Sequence, residues 1–314
     1  MNSSSFIRKN IFGIIGTLVL ISFTVYALLD TFVIVKTYSV VEPVSVVSSS
    51  DGSAEQENDT SAKSVSVTAA APVVTENSYT DGDVSVTLSE YRVNDTTVYV
   101  ADVQLSSPEY LLTAFANNAY GRNVKDETSS IAADNDAIIA VNGDFYGSRN
   151  SGYVIRNGVL YRSTSAGNED LVIWSDGSFG IINENEITAE ELLERGAYQV
   201  FSFGPALVTD GEVSVTEDEE VGRAMASNPR TAIAVVDDLH YLFIVSDGRT
   251  DESEGLSLME LAEFAKSLGA ETCYNLDGGG SSTMYFMGEV VNNPTTSGNS
   301  TKERSVSDIV YVGK

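Results

Sequence analysis

SLMELAEFAKSLGAETCYNLDGGGSST, residues 257–283, decides how the rest of the chain is read. Ser257 and Glu260 stand at the S-x-x-E spacing of a capping box, in which each side chain bonds the other's backbone N–H. Leu258, Leu261, Ala262, Ala265 and Leu268 recur at helical spacing as one apolar stripe, and Gly269 closes the helix as its C′ residue. The next apolar run, Thr272 to Leu276, reads as a strand, and His240 to Ser246 is another before the helix. Strand, helix and strand form a crossover that most often joins parallel neighbours. The spacing therefore predicts adjacent strands with Asp247-Gly248 and Asp277-Gly278 at one sheet edge, close enough to share a ligand. Gly278, Gly279 and Gly280 lack a Cβ, so the turn after Asp277 can take positive φ and bring bare N–H groups to an anion or a sugar hydroxyl. No Lys precedes Ser281, which separates the turn from a nucleotide P-loop. On the loop alone, a tight β-turn capped by Asp277 is an equal reading.

Upstream the chain is mostly strand-like. Val84 to Tyr91 and Thr97 to Leu105 alternate apolar and polar residues around Asn94-Asp95, the mark of a hairpin, and Thr231 to Val236 pairs with His240 to Ser246 around Asp237-Asp238. Ala137 to Val141 is short and wholly apolar, as expected of a strand buried on both faces, and runs into Asn142-Gly143-Asp144-Phe145-Tyr146. Tyr153 to Arg162, Leu171 to Trp174, Phe179 to Ile182, Tyr198 to Thr209, Met284 to Val291 and Val306 to Val312 read as further strands. Ser107-Pro108-Glu109 has the N-cap, N1 proline and acidic first turn of a short helix carrying Leu111, Leu112 and Phe115. Ser129 to Asn135 and Ala189 to Arg195 read as two more helical pieces. The fold class that follows is α+β, or mixed α/β, with a mixed central sheet and flanking helices.

The N-terminal quarter has a different character. Residues 11–29 are apolar or small and uncharged, long enough at ~1.5 Å per residue to cross a hydrocarbon core of about 30 Å. Arg8 and Lys9 precede them, so residues 1–10 are expected in the cytoplasm, 11–29 as a transmembrane signal-anchor and the remainder outside, at the cell membrane. Residues 30–76 are rich in Ser, Thr and Val, nearly free of aromatics and read as a disordered linker, which leaves 77–314 as the folded domain.

A net charge of -27 argues against nucleic acid as a partner, and it requires that an anionic substrate be held by a local cluster of arginines. Cys273 and His240 are the only residues of their types. An intrachain disulfide and the common zinc sites are thereby excluded, and His240, with no visible partner in the sequence, is not expected to serve a Ser-His-Asp triad or a Cys-His dyad. Chemistry falls to carboxylates, arginines, hydroxyls and backbone amides. No cofactor is required; a divalent cation such as calcium is weighed only for Asp144 and for the acidic loop Glu217-Asp218-Glu219-Glu220.

The ordered motifs over Ala137 to Val312 resemble the phosphodiester glycosidase family. They are Asn142 to Tyr146 with Ser151-Gly152, Phe203 to Val208 with Asp210-Gly211, Pro229-Arg230-Thr231-Ala232, Ser246-Asp247-Gly248, the helix from Gly255 to Ala265, Asn275 to Ser282, and Arg304-Ser305-Val306-Ser307. The resemblance implies hydrolysis of glycosyl-1-phosphodiester bonds, of the alpha-N-acetylglucosamine-1-phosphodiester type, in a phosphoglycan substrate. It implies Asp277, Asp247 and Asp144 as catalytic carboxylates. Asn142, Arg230, Arg156, Arg304, Gly278, Gly279, Gly280, Ser281 and Ser282 would bind substrate. Without the resemblance, Arg230 equally suits a rim ion pair, Asp247 a turn and Asn142 a strand-end cap. A non-catalytic glycan-binding module and a metal-dependent phosphodiesterase are the alternative functions.

Overall fold

A computed structural model describes residues 15, 17–29, 33–37, 71–216, 227–296 and 300–314. Residues 1–10, most of the 30–76 linker and the acidic loop at 217–220 lie outside the described residues, as do 11–14 and 16 of the expected span. Residues 15 and 17–29 are helical and are labelled α1. Among the described residues no helix is long and apolar enough to cross a membrane.

With strands numbered in chain order, three sheets make up the body. The largest has nine strands in the order β15 (Glu212–Val213), β14 (Ala206–Thr209), β18 (Thr272–Asn275), β16 (Arg230–Asp237), β17 (His240–Ser246), β5 (Thr96–Leu105), β4 (Val84–Val93), β3 (Ser78–Thr80) and β2 (Val73–Val74). A five-stranded sheet follows the order β20 (Glu289–Val290), β19 (Met284–Phe286), β8 (Ile139–Asn142), β21 (Asp308–Val312) and β6 (Leu111–Phe115). The third, also of five strands, runs β10 (Val159–Arg162), β9 (Val154–Arg156), β13 (Ala197–Phe201), β11 (Glu169–Trp174) and β12 (Phe179–Asn183). A two-stranded ladder joins β1 (Lys36–Thr37) to β7 (Gly121–Arg122).

One apolar core lies between the sheets. Val86, Val103, Phe243, Val245 and Ile233 of the large sheet meet Ile139, Val141, Met284 and Val310 of the second and Leu171, Ile173 and Phe201 of the third. Strand residues alternate faces, so the outer face of each sheet needs its own cover, and a helix supplies it. Helix α2 (Thr128–Asp134) packs Ile131 and Ala132 on the second sheet, and α3 (Ala189–Glu194) packs Ala189 and Leu192 on the third. Helix α4 (Leu258–Ser267) lays Leu258, Leu261, Ala262 and Ala265 on Ala232, Ala234 and Ile244 of the large sheet. It starts at the expected Ser257/Glu260 capping box and ends before Gly269, at φ +90°.

Four expectations change. Every ladder is antiparallel, so the body is mostly β and not a mixed sheet. The strands on either side of α4 do run the same way, but β16 lies between them: Ala232 faces Ile244 of β17 on one side and Asn275 of β18 on the other. Residues 111–115 are strand β6 rather than helix, because pairing with β21 over Leu111 to Phe115 outweighs the local helix-start signal, which is used up in the single turn Pro108–Tyr110. Tyr198 to Thr209 breaks into β13 and β14, which belong to different sheets.

Candidate active site

The site forms where the three sheets meet. Strand β8 ends at Asn142 and hands the chain to Gly143, Asp144 and Phe145, while β18 ends at Asn275 and hands it to Leu276 and Asp277. Asn142 joins the two exits. Its Nδ2 donates to the Asp277 carbonyl (2.6 Å) and the Gly143 carbonyl (3.2 Å), and its Oδ1 accepts from Thr231 Oγ1 (2.8 Å) and Thr283 N (3.3 Å). Strand β21 starts beside the same corner, with Gly143 N donating to the Asp308 carbonyl at 2.9 Å. A Cβ on Gly143 would stand 2.4 Å from Asp308 Oδ1, so only glycine admits this approach.

Two carboxylate assemblies stand at this corner. In the first, Asp277 Oδ2 accepts from Ser281 Oγ (2.7 Å) and pairs with Arg304 Nη2 (2.9 Å); Arg304 also reaches Ser281 Oγ and the Gly278 carbonyl. Asp277 is largely enclosed, its side chain 13% exposed, whereas Arg304 is 40% exposed. Burial raises the Asp277 pKa above the ordinary carboxylate range, against the pull of Arg304 and Ser281. In the second, Arg156 is buried with Asp144 Oδ2 at 3.0 Å and Asp308 Oδ2 at 2.8 Å from its Nη2. Its Nε donates to Asp308 Oδ2 (2.8 Å), its Nη1 to the Ile155 and Val200 carbonyls, and its plane lies 4.2 Å from the Phe201 ring centre. Asp144 also accepts from the Tyr146 and Ser202 N–H groups. One cation faces two carboxylates in a dry interior. Burial therefore pushes Asp308 up to about 7, with Asp144 and Asp277 adding to the rise and Arg156 opposing it.

A cavity of about 420 Å³ opens onto this arrangement. Asp277, Asp144, Ser281 and Arg304 line it together with Lys125, Phe145 and Ser305 to Ser307. Burial beside Arg304 lowers the Lys125 pKa, while Asp277 pulls it up; its Nζ donates to Ser148 Oγ at 2.9 Å. Among the described residues no group of three or more His, Cys, Asp or Glu is arranged to hold a metal ion.

Of the residues expected here, Asp277, Asp144, Ser281 and Arg304 share the cavity. The others have different positions. Asn142 is buried with both polar atoms bonded to protein, so it fastens two sheets instead of holding substrate. Arg156 is an internal counter-ion with no exposed surface to offer a phosphate. Arg230 is buried and donates from Nε to the Leu256 carbonyl (2.8 Å), away from the cavity lining. Asp247 accepts from Asn292 Nδ2 (3.2 Å), Asn293 N (2.8 Å) and Asn293 Nδ2 (3.0 Å); it anchors that segment and does not line the cavity. The glycine turn serves close packing more than anion binding. Gly279 N donates to the Pro229 carbonyl at 2.8 Å, and a Cβ would lie 2.9 Å from that oxygen at Gly278 and 2.3 Å from Thr296 Oγ1 at Gly280. Ser282 is fully buried behind the turn.

Sequence reasoning missed Asp308 and Lys125. Asp308 directly follows the quoted Arg304-to-Ser307 motif and interrupts an otherwise apolar strand, a signal that was available. Lys125 sits in an irregular stretch and carries none.

The phosphodiester glycosidase family model matches residues 135–313. The chain belongs to the phosphodiester glycosidase family. A prophage-derived protein of Bacillus subtilis, YomE, is 29% identical over 180 residues, which is 55% of this chain and 28% of that protein. The chain thus spans little more than a quarter of that relative. The catalytic domain of zebrafish N-acetylglucosamine-1-phosphodiester alpha-N-acetylglucosaminidase, solved auto-inhibited by its pro-peptide, superposes with a TM-score of 0.58 at 19% identity, over 74% of this chain and 83% of that one. A Synechocystis protein superposes at 0.55 and 16% identity, over 74% and 62%. At these identities the two structures share the fold.

The Asp308 shift has a consequence for stability. A carboxyl whose folded-state pKa is raised contributes stability that is full below its unfolded value near ~4 and is lost as pH rises through the folded value, here about 7. Asp308→Asn, which cannot ionise, is therefore expected to flatten the fall in unfolding free energy between about pH 4 and 7, measured by urea denaturation across that range. An unchanged pH profile would contradict the assignment.

Proposed function

We propose that the chain is an exported hydrolase, anchored in the membrane near its N-terminus, that cleaves glycosyl-1-phosphodiester bonds in phosphodiester-linked glycans at the cell surface. The observation that carries this reading is a single cavity presenting the Asp277 carboxylate beside the cations of Arg304 and Lys125. A glycosyl-1-phosphodiester matches both signs. As water adds to the anomeric carbon, the C1–O bond breaks with its electron pair on the phosphate oxygen; positive charge grows on the sugar and negative charge on the leaving group.

Asp277 stabilises the cationic sugar, and its raised pKa suits it to take the proton that water releases. Arg304 and Lys125 hold the departing phosphate. Asp144 has oxygens committed to the Tyr146 and Ser202 N–H groups and to Arg156, and supplies fixed negative charge in the cavity wall. The released phosphomonoester has a second pKa near ~6, so it departs without the strong general acid that an ordinary glycoside needs. That explains how one histidine, on a distant hairpin paired with Asp102, can be irrelevant. The sugar we favour is alpha-linked N-acetylglucosamine, because the zebrafish neighbour in fold space is named for that bond.

The full chain is expected to release free sugar from an alpha-N-acetylglucosamine-1-phosphodiester, and Asp277→Asn to lose about 10²- to 10⁴-fold in turnover with its circular dichroism unchanged. Unaltered turnover would remove Asp277 from the chemistry. Saturable binding without product would indicate a glycan-binding module, and phosphate left on the sugar a phosphodiesterase. The location rests on Arg8, Lys9 and the apolar residues 11–29. External protease should degrade residues 77–314 on intact cells, and protection of that domain would contradict export.

A further inference from the structure

A second cavity, of about 430 Å³, lies on the other side of the loop 145–149. Arg122, Arg149 and Arg162 line it with Tyr120, Tyr146 and Tyr161, and no Asp or Glu does. In a chain with 45 acidic residues against 18 basic ones, a carboxylate-free wall holding three arginines is a strong departure from the average surface. Two of these charges, Arg149 and Arg162, are held in place by neutral groups. Arg162 donates from Nε to the Gly152 carbonyl (2.6 Å) and from Nη1 to the carbonyls of Tyr146 (3.0 Å) and Arg149 (2.8 Å). Arg149 donates from Nη1 to the Ser202 carbonyl (3.2 Å) and lies over the rings of Phe145 (5.7 Å) and Phe203 (5.4 Å). Among the described residues neither Arg149 nor Arg162 is within ion-pair distance of a carboxylate. Their positive charge therefore stands unneutralised inside a field that is otherwise negative.

The rest of the wall is aromatic. Tyr120 stacks on Tyr146 at 5.2 Å, and Tyr161 lies 5.0 Å from Tyr120. Flat rings beside fixed guanidinium groups suit a ring-shaped anion, with the sugar against the half-buried Tyr120 and Tyr161 and phosphate oxygens on the arginines. The cavity also adjoins the carboxylate site. Phe145 lines the first cavity, and Lys125 Nζ (5.8 Å) and Arg149 (5.7 Å) both lie near its ring centre. Lys125 is bonded to Ser148, between Gly147 and Arg149 of the second cavity.

We propose that this second cavity is a leaving-group subsite that takes a phosphorylated sugar, the next phosphate-bearing unit of the glycan whose glycosyl end lies at Asp277. This rests on the hydrolase reading above. The substrate class it specifies is narrower: a glycan with repeated phosphates, not a diester with a neutral aglycone.

Isothermal titration calorimetry of the full chain with glucose 6-phosphate, and with glucose as control, tests it. Glucose 6-phosphate should bind and glucose should not. Arg149→Gln and Arg162→Gln should each weaken binding at least about tenfold, and Arg304→Gln should not. Tyr161 makes ring contacts only, so Tyr161→Ala keeps the test decisive if an arginine variant fails to fold; a loss of about three- to tenfold is expected. No binding, or binding lost in Arg304→Gln and kept in Arg149→Gln and Tyr161→Ala, would overturn the proposal. Turnover is scored separately. Hydrolysis without glucose 6-phosphate binding removes the subsite alone, whereas binding in this pattern without hydrolysis supports the anion site and removes the hydrolase reading.

Discussion

Arg156 with Asp144 and Asp308 is the interaction on which the site depends. Removing a charge from water costs several kcal/mol even after relaxation, so a buried arginine persists only where partners surround it. Here they come from two sheets: Arg156 from the end of β9, Asp308 from the start of β21, Asp144 from the exit of β8. Satisfying the cation therefore fixes the third sheet against the second. It also fixes the loop that carries Asp144 and Phe145 into the cavity. A second tie, from Asn142 to the Asp277 carbonyl, fixes the second sheet against the first. The cavity is the space left where these two constraints meet.

The same assembly sets the electrostatics. Two carboxylates and one guanidinium leave net negative charge in the interior, which the protein relieves in part by raising the Asp308 pKa, so that its ionised form is disfavoured. Nearer the surface cations join the lining, where Arg304 and Lys125 stand with Asp277 and Asp144. An arginine-bearing surface thus opens outward from an acidic interior. Against a net charge of -27, local cations are what the proposed anionic glycan would need in order to reach the carboxylates.

What the sequence disclosed follows from how local each signal is. The capping box at Ser257, the glycine after α4 and the left-handed pair Asn94-Asp95 in the first hairpin act over three or four residues and were legible. The placing of β16 between β17 and β18 was not, because a crossover helix reveals the direction of two strands and not what lies between them. Asp277 and Arg304 could be read from ordered motifs. Arg156 could not be told from a phosphate ligand, since its partner Asp308 is 152 residues away. The glycine run was legible as a close approach, but the approaching partner is the chain's own backbone at Pro229.

The central claim is that the bond broken lies between the anomeric carbon and oxygen. Hydrolysis of an alpha-N-acetylglucosamine-1-phosphodiester by the full chain in ¹⁸O-labelled water, with both products analysed by mass spectrometry, tests it most directly. The account expects the label on the sugar and an unlabelled phosphomonoester; label on the phosphate would mean that the P–O bond breaks and would contradict the roles given to Asp277 and Arg304.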